Sequence, residues 1–569
     1  MTVAEYLAYF IEKKGIKNVF QLSGGMITQL IDKIDERESI NVHSLLHEQS
    51  CAFAISAIGR ISKKPSVALA TSGPGATNLI TGIGDCYFDS VPAIFITGQV
   101  NTFEIKPNNA IRQLGFQETD ILSMVKPITK LAVQIKNPQD IIKQLDLAYS
   151  TSISGRHGPV LIDIPMDIQR SQIKLDDWDT LKSEMKSVNQ IKNIESVINI
   201  LTNSKKPIIW AGNGIHSSNS EDLFKEFVKI TNIPSVFTLH GIDILNFVDP
   251  NRIGFIGSYG NRFANKAVKE ADCIIFLGSR IDIRQTGSNM SIFENKKIIR
   301  VDCEEGELTN RLDPHIKVNC DVKVFLNELL VKIKSPDFKL NDWHEELISL
   351  KREYPAENEI GNTEFVNPIS FFKCLSKESL KSTIYNVDVG SHQMWAAQSL
   401  EFKNGDRFLT SGGMGSMGFA LPAAIGASIE SKKGVIAIIG DGSFQMNIQE
   451  LQTIFRLNLD IKIIIINNNS LGMIRQFQET YFESRYIGTK WGYSAPDFCK
   501  IAVAYNIDSK KIFHDNEVNG ALKWLFKDEK SRLLEVMVSS NLNVYPKIAF
   551  GRTMDEMEPQ FSSNQMEST

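Results

Sequence analysis

The residues with the clearest chemical meaning are Gly440-Asp441-Gly442 and, 27 positions beyond the aspartate, Asn468. A continuously apolar run from Val435 to Ile439 leads into the first group, and Phe444, Ile448, Leu451 and Phe455 follow it at spacings of four, three and four. That spacing predicts a helix opening just after the turn. The two glycines permit a tight turn and let backbone N–H groups approach an anion at the positive helix end, a place that suits a diphosphate, with Ser443 beside it. Asp441 is a hard oxygen ligand, and a second apolar run, Ile461 to Ile466, delivers Asn467-Asn468-Asn469 to the adjacent strand end. Magnesium takes such oxygens together with water and phosphate. A Gly-Asp-Gly turn alone would read as an ordinary strand ending; Asn468 in register makes it a metal–diphosphate site.

Such ligands need rigid strands behind them. Runs rich in β-branched residues alternate with helical patterns: KNVFQL, SVALAT (66–71), AIFITG (93–98) and GPVLIDIP (158–165), then KKPIIWAGNG, PSVFTL, CIIFLGSR and KKIIRVDCEE, then YNVDVGSHQ, GVIAIIGDG, IKIIIINNN and RLLEVMV. Continuous apolar runs of this kind predict parallel strands covered on both faces, hence an α/β protein of three domains. Charged stretches at 169–190 and from about Lys332 to Asn362 serve as connectors, giving domains at 1–170, 190–335 and 365–550 and a polar tail at 551–569 that is expected to fray. No internal repeat is visible at the level of residues.

The 569 residues exceed one hydrophobic core, and 42% apolar with 22% charged residues is ordinary for a globular chain. Net charge is −4, the pI is about 6.2, and no basic run is interleaved with aromatics, which argues against nucleic acid as a partner. The N-terminus does not read as a signal peptide and no apolar run approaches a membrane span, so a cytoplasmic protein is expected. Seven scattered cysteines without a C-x-x-C pair predict buried free thiols.

The Gly-Asp-Gly to Asn-Asn spacing is the thiamine-diphosphate signature, and most of the chain resembles the acetolactate synthase catalytic subunit. The resemblance implies pyrimidine-binding, central FAD-type and diphosphate-binding domains. It implies that Asp441, the Asn468 side chain and the Ser470 carbonyl hold Mg2+, and that Glu48, in LLHEQSCAFAISAIGR, activates thiamine diphosphate through its aminopyrimidine ring. Met417, in SGGMGSMGFALPAAIGA, would wedge the cofactor into its bent form, with the Gly415 carbonyl accepting from the aminopyrimidine. The glycines around Met417 are read as allowing close approach to the ligand. Gly390, Ser391 and His392 would contact the diphosphate, and Gly24 and Gly25 the pyrimidine side. Phe116 would wall the substrate pocket and Gln117 would hydrogen-bond reacting oxygens. FAD would use Arg156, Gly212, Gly214, Arg280 and Asp302. Arg284 would fork onto the acceptor's carboxylate, near Met473 and Phe477.

By the same resemblance the partners are a keto acid substrate and a second copy of the chain, in a homodimer or tetramer with active sites between chains, together with a regulatory small subunit. The implied reaction is decarboxylation of pyruvate and transfer of its two-carbon unit to a second keto group. Ser391 stands where the family commonly has glutamine, a departure at the diphosphate contact. Two further departures keep the acceptor open: Ile281-Asp282-Ile283-Arg284 replaces FDDR, and Phe477 replaces a tryptophan that favours 2-ketobutyrate. The C-terminal NVYPKIAFGRTMDEMEP also resembles carboligases that act on nucleotide-linked keto sugars, and a non-catalytic cofactor-binding protein is the reading from another class.

Overall fold

The structure is a computed structural model describing residues 1–108, 110–175, 191, 193–333, 338–361, 363–380 and 382–560. The first sheet contains β1 (Asn18–Gln21), β2 (Asn41–Ser44), β3 (Val67–Ala70), β4 (Ala93–Gln99), β5 (Leu131–Gln134) and β6 (Pro159–Pro165). The second contains β7 (Pro207–Ala211), β8 (Ser235–Phe237), β9 (Arg252–Phe255), β10 (Cys273–Leu277), β11 (Lys297–Asp302) and β12 (Ile316–Asn319). The third contains β13 (Ile384–Val387), β14 (Arg407–Leu409), β15 (Val435–Gly440), β16 (Ile461–Asn467), β17 (Asp508–Ile512) and β18 (Arg532–Met537). Pairing within each sheet is parallel.

The strand orders are β2-β1-β3-β4-β6-β5, β12-β11-β10-β7-β8-β9 and β14-β13-β15-β16-β18-β17. The first and third sheets therefore share one topology, a repeat that the residues do not reveal. The second, counted from its other edge, has the doubly wound order that binds dinucleotides. In each sheet the chain reverses its winding beside a central pair, β1/β3, β7/β10 or β13/β15, and open α/β sheets bind ligands at the carboxyl ends of such strands.

The strands that line these reversals are buried throughout, as their unbroken Val, Ile and Ala runs require. Each fully buried isoleucine contributes about 1.5–3 kcal/mol relative to exposure. The first and third domains share a core through two small-residue helices, Glu48–Ser62 and Ala420–Glu430. A Cβ added at Gly426 would lie 2.2 Å from the Ala54 carbonyl oxygen, so the helices meet backbone to backbone. No helix of the described residues is long and apolar enough to cross a membrane.

Three expectations are corrected. The segment after Gly442 is not one helix: it comprises Asp441–Phe444, a 3-10 turn at Ile448–Glu450 and Leu451–Arg456, and Phe455 is exposed. The break falls where Asn447 turns inward to donate to the Gly418 carbonyl at 2.8 Å and the Gln49 side chain at 3.2 Å, joining two domains at the expense of helical continuity. The tail does not fray at Gly551. Met554 is buried, Asp555 pairs with Lys269 at 2.6 Å, and β20 (Met557–Glu558) pairs antiparallel with β19 (Lys547–Ile548), whereas 561–569 lie outside the described residues. The cysteines are free, but Cys303 is exposed and Cys320, Cys374 and Cys499 are only half-buried. Positions 176–190 of the first connector also lie outside the described residues.

Candidate cofactor and active site

In the first domain the candidate residues gather around the turn after β3, Thr71-Ser72-Gly73-Pro74-Gly75. Glu48, the first residue of its helix and 6% exposed, accepts from Asn78 Nδ2 at 3.0 Å. A Cβ on Gly75 would sit 3.2 Å from Glu48 Oε1, and one on Gly73 3.1 Å from Gln117 Cβ, so this single turn brings Glu48 and Gln117 together. Gly24 packs on Thr71, where a Cβ would come within 2.5 Å, while Gly25 faces open space. The sequence reading passed over this turn; its Gly-Pro-Gly after a buried strand is the signal that could have found it. Gln117 has φ +67°, and Glu118 stiffens its loop by accepting from the Lys106 and Leu114 amides at 2.8 and 2.7 Å. Phe116 is 81% exposed, so within one chain it walls no pocket.

The third domain repeats the arrangement at the ends of β13, β15 and β16. Gly390 precedes the helix Ser391–Ser399, and the His392 ring sits between Gly390 and Gly440, each of which would meet it within 2.9 Å if it carried a Cβ. Its Nε2 is buried without a partner, and burial pushes the ring's pKa down to about 3, so the imidazole is neutral. Asp441 is 2% exposed; burial raises its carboxyl to about 6 against hydrogen bonds from Tyr493, its own amide and the amides of Asn468 and Ser470. Those bonds draw Asp441, Asn468 and Ser470 into one cluster. Tyr493 Oη donates to Asp441 Oδ2 at 2.7 Å, Ser470 N to Asn468 Oδ1 at 3.1 Å, and Ser443 Oγ to the Val389 carbonyl at 3.1 Å. Gly472 keeps room beside Ser391 Oγ and Asn468 Nδ2, which a Cβ would meet at 2.5 and 2.7 Å. Tyr493 was missed from sequence because nothing in its local pattern marks it.

Met417 lies beside this cluster, its Cε 3.4 Å from where a Gly442 Cβ would stand. The glycines around Met417 do not all serve a ligand, contrary to expectation. Cβ atoms on Gly412, Gly413 and Gly418 would strike His240, Phe88 and Met446 or Asn447, and only Gly415, at φ +69°, faces open space. Asp388, wholly buried and missed from sequence, accepts from the amides of Val389, Gly418 and Ala420 at 2.8, 3.0 and 2.8 Å. Burial pushes its carboxyl up to about 6 despite those donors.

A cleft partly open to solvent runs along the carboxyl ends of β7, β10 and β11. Arg156, Gly214, Arg280, Arg284 and Asp302 line it. Gly212 does not: its role is to let two turns cross, since a Cβ there would be 2.2 Å from the Gly278 carbonyl oxygen. Arg156 donates to Ser90, Glu304 and Glu307, and Arg280 to Asp282. Burial raises the Asp302 carboxyl. Arg284 is exposed, whereas its carbonyl accepts from the Ser258 amide at 2.7 Å. Ile281, buried at φ +54°, holds a left-handed conformation that a β-branched residue seldom adopts, so the turn before Arg284 is strained. Met473 and Phe477 stand one turn apart on the helix Gly472–Tyr481; Met473 packs on the core and Phe477 is 52% exposed against Tyr481 and Phe482.

Two topologically equivalent half-sites, one presenting a buried carboxylate and the other an acid–amide cluster under a helix terminus, define a thiamine pyrophosphate enzyme. Family models agree. The thiamine pyrophosphate enzyme N-terminal TPP binding domain matches residues 1–124, the central domain 194–329 and the C-terminal TPP binding domain 388–536. Within that class the chain belongs to the acetolactate synthase large-subunit family. It is 35% identical to the acetolactate synthase large subunit of Cyanidium caldarium, with 98% of this chain and 96% of that protein covered. It is 36% identical to the large subunit from Lactococcus lactis subsp. lactis (96% and 94% covered) and 33% identical to the isozyme 2 large subunit of Escherichia coli (99% and 100% covered).

Proposed function

We propose that this enzyme decarboxylates pyruvate and transfers the two-carbon unit to a second 2-keto acid, giving a 2-aceto-2-hydroxy acid and carbon dioxide. The observation that carries this reading is the convergence of the buried Asp441, Asn468 and Ser470 at neighbouring strand ends, a set of oxygens suited to Mg2+, next to the Gly440–Gly442 turn that suits a diphosphate. Asp441, the Asn468 side chain and the Ser470 carbonyl would hold the metal. Gly390, Ser391, His392, Gly440, Gly442 and Ser443 would surround the diphosphate. When bound, thiamine diphosphate would supply the nucleophilic carbon for attack on a keto group. Glu48 would hold a proton at the aminopyrimidine, Met417 would pack against the cofactor, and the Gly415 carbonyl would accept from the pyrimidine. Gln117 hydrogen-bonds the reacting oxygens, and Arg284 binds the acceptor's carboxylate.

The exposure of Phe116, Phe477 and Met414 supports a homodimer in which a second copy covers these side chains and closes the site. The cleft at the β7/β10 reversal, lined by Arg156, Arg280 and Arg284 and by Asp302 at the end of β11, fits FAD as a bound dinucleotide. A regulatory small subunit is a further partner, as the large-subunit names of the relatives suggest. Purified protein given pyruvate, thiamine diphosphate and Mg2+ is expected to release carbon dioxide and form 2-acetolactate, and chelating the metal is expected to abolish both. Absence of carbon dioxide with pyruvate alone and with a panel of keto acceptors, 2-ketobutyrate and nucleotide-linked keto sugars included, overturns the reading.

A further inference from the structure

The loop 411–418, which carries Gly415 and Met417, is gripped at both ends by buried carboxylates. Asp388 takes the amides at its far end; the near end is held from a different domain. Asp89, at the end of the helix Ile80–Phe88 in the first domain, accepts from the Gly412 amide at 2.9 Å through Oδ2 and from the Gly413 amide at 2.7 Å through Oδ1. Its side chain is 1% exposed. Arg60 Nη2 donates to Oδ2 at 3.0 Å, and His240 Nε2, from the central domain, lies 3.2 Å from Oδ1. Asn213 Nδ2, also central, donates to the Asp89 carbonyl at 3.2 Å. Three domains thus meet at one carboxylate.

We propose that Asp89 is a positioning residue for the thiamine loop: with Arg60 and His240 holding its carboxylate, it fixes the height of Gly412 and Gly413 and so the reach of Met417. This rests on the reading of Met417 and Gly415 as cofactor contacts.

The Gly412 and Gly413 amides and Arg60 are donors to the two Asp89 oxygens, so both oxygens must accept and neither can be replaced by an amide nitrogen. Burial alone would raise the carboxyl, but His240 and Arg60 hold it well below the usual carboxylate range. The two glycines are part of the device. A Cβ on Gly413 would lie 2.9 Å from Asp89 Oδ1, and one on Gly412 2.1 Å from His240 Nε2. Bare backbone is what allows a carboxylate and an imidazole to sit directly on the loop. At its base the loop closes on itself through Ser416 N donating to Ser411 Oγ at 3.0 Å, so a shift of its first residues is transmitted to Met417.

Asp89→Asn in the full-length protein tests this. Amide hydrogen exchange of peptides spanning 411–418, measured without cofactor, is expected to speed up about ten- to hundredfold, with the strands β15 and β16 unchanged. Thiamine diphosphate affinity in the presence of Mg2+ should weaken in step. Unchanged exchange in the loop overturns the role of Asp89. Faster exchange with wild-type cofactor affinity instead overturns the reading of Met417 and Gly415 as cofactor contacts. Should Asp89→Asn fail to fold, His240→Ala removes one holder from the cleft side and is expected to accelerate the same amides by a smaller factor, with His240→Gln, which keeps a donor, restoring protection. Loop exchange identical in all three proteins is again the overturning result.

Discussion

Asp388 and Gly418 are joined by a 3.0 Å hydrogen bond that ties the end of β13 to the loop carrying Met417. With the bond to Ala420 on the other oxygen, this one carboxylate links the strand expected to meet the diphosphate with the loop expected to meet the thiazolium. Asp388→Asn places an amide nitrogen against at least one N–H donor, and loss of a charged hydrogen bond costs about 1.5–3 kcal/mol. Thiamine diphosphate binding, followed by calorimetry with Mg2+ present, should weaken about ten- to hundredfold. An unchanged dissociation constant would count against the link.

Glu48→Gln keeps shape and the contact with Asn78 but removes the charge proposed above to hold a proton at the aminopyrimidine. Loss of a general acid–base group of this kind lowers kcat by about 10²–10⁴. Carbon dioxide release should fall by that factor with cofactor affinity maintained. A variant that binds no cofactor would show that Glu48 acts in binding instead.

The inner strands of all three sheets were readable as apolar runs, and the strands passed over are the edges β2, β5, β9, β12, β14 and β17. An edge strand is free on one side and need not be apolar on both faces; β12 alternates buried and exposed, and β17 is largely exposed or half-buried. Asp441 and Asn468 were legible because a metal and a diphosphate each demand a residue type at a strand end, whereas Glu48, an ordinary glutamate in a first helical turn by its local pattern, was reached only through the family resemblance. Asp388, Asp89 and Thr71 were not, because they act on backbone brought from other parts of the chain, and no local spacing records that. The glycines near Met417 misled for the same reason: the close approach they permit is mostly to protein.

Asp163, on β6, accepts from Thr97 Oγ1, Gln134 Nε2 and Gln99 Nε2 at 2.7, 2.9 and 3.2 Å, yet burial pushes its carboxyl up to about 6. The folded protein therefore keeps this proton at pH values where the unfolded chain, near 3.8, has lost it. Stability from this group falls as pH rises from about 4 to 6 and stays reduced above that, by about 3 kcal/mol in all. Asp163→Asn does not titrate. The difference in urea midpoint between variant and wild type should thus move in favour of the variant between pH 4.5 and 7.5. A difference that is flat with pH would show that Asp163 is ionised throughout.

Arg284 has an exposed guanidinium on a turn strained at Ile281, and it stands close enough to Tyr259 to lower that phenol's pKa together with Lys547, although burial, the larger effect, raises it. A forked cation beside the cleft is suited to a carboxylate, and losing a charged hydrogen bond costs about 1.5–3 kcal/mol. Arg284→Gln should leave decarboxylation of the first pyruvate nearly intact while raising the KM for an added acceptor such as 2-ketobutyrate about ten- to hundredfold. The two-carbon unit, finding no acceptor held in place, should then leave as acetaldehyde. Following carbon dioxide, acetaldehyde and the aceto-hydroxy acid in one assay separates the outcomes: a parallel fall in all three assigns Arg284 to the first pyruvate, and a fall confined to the aceto-hydroxy acid assigns it to the acceptor.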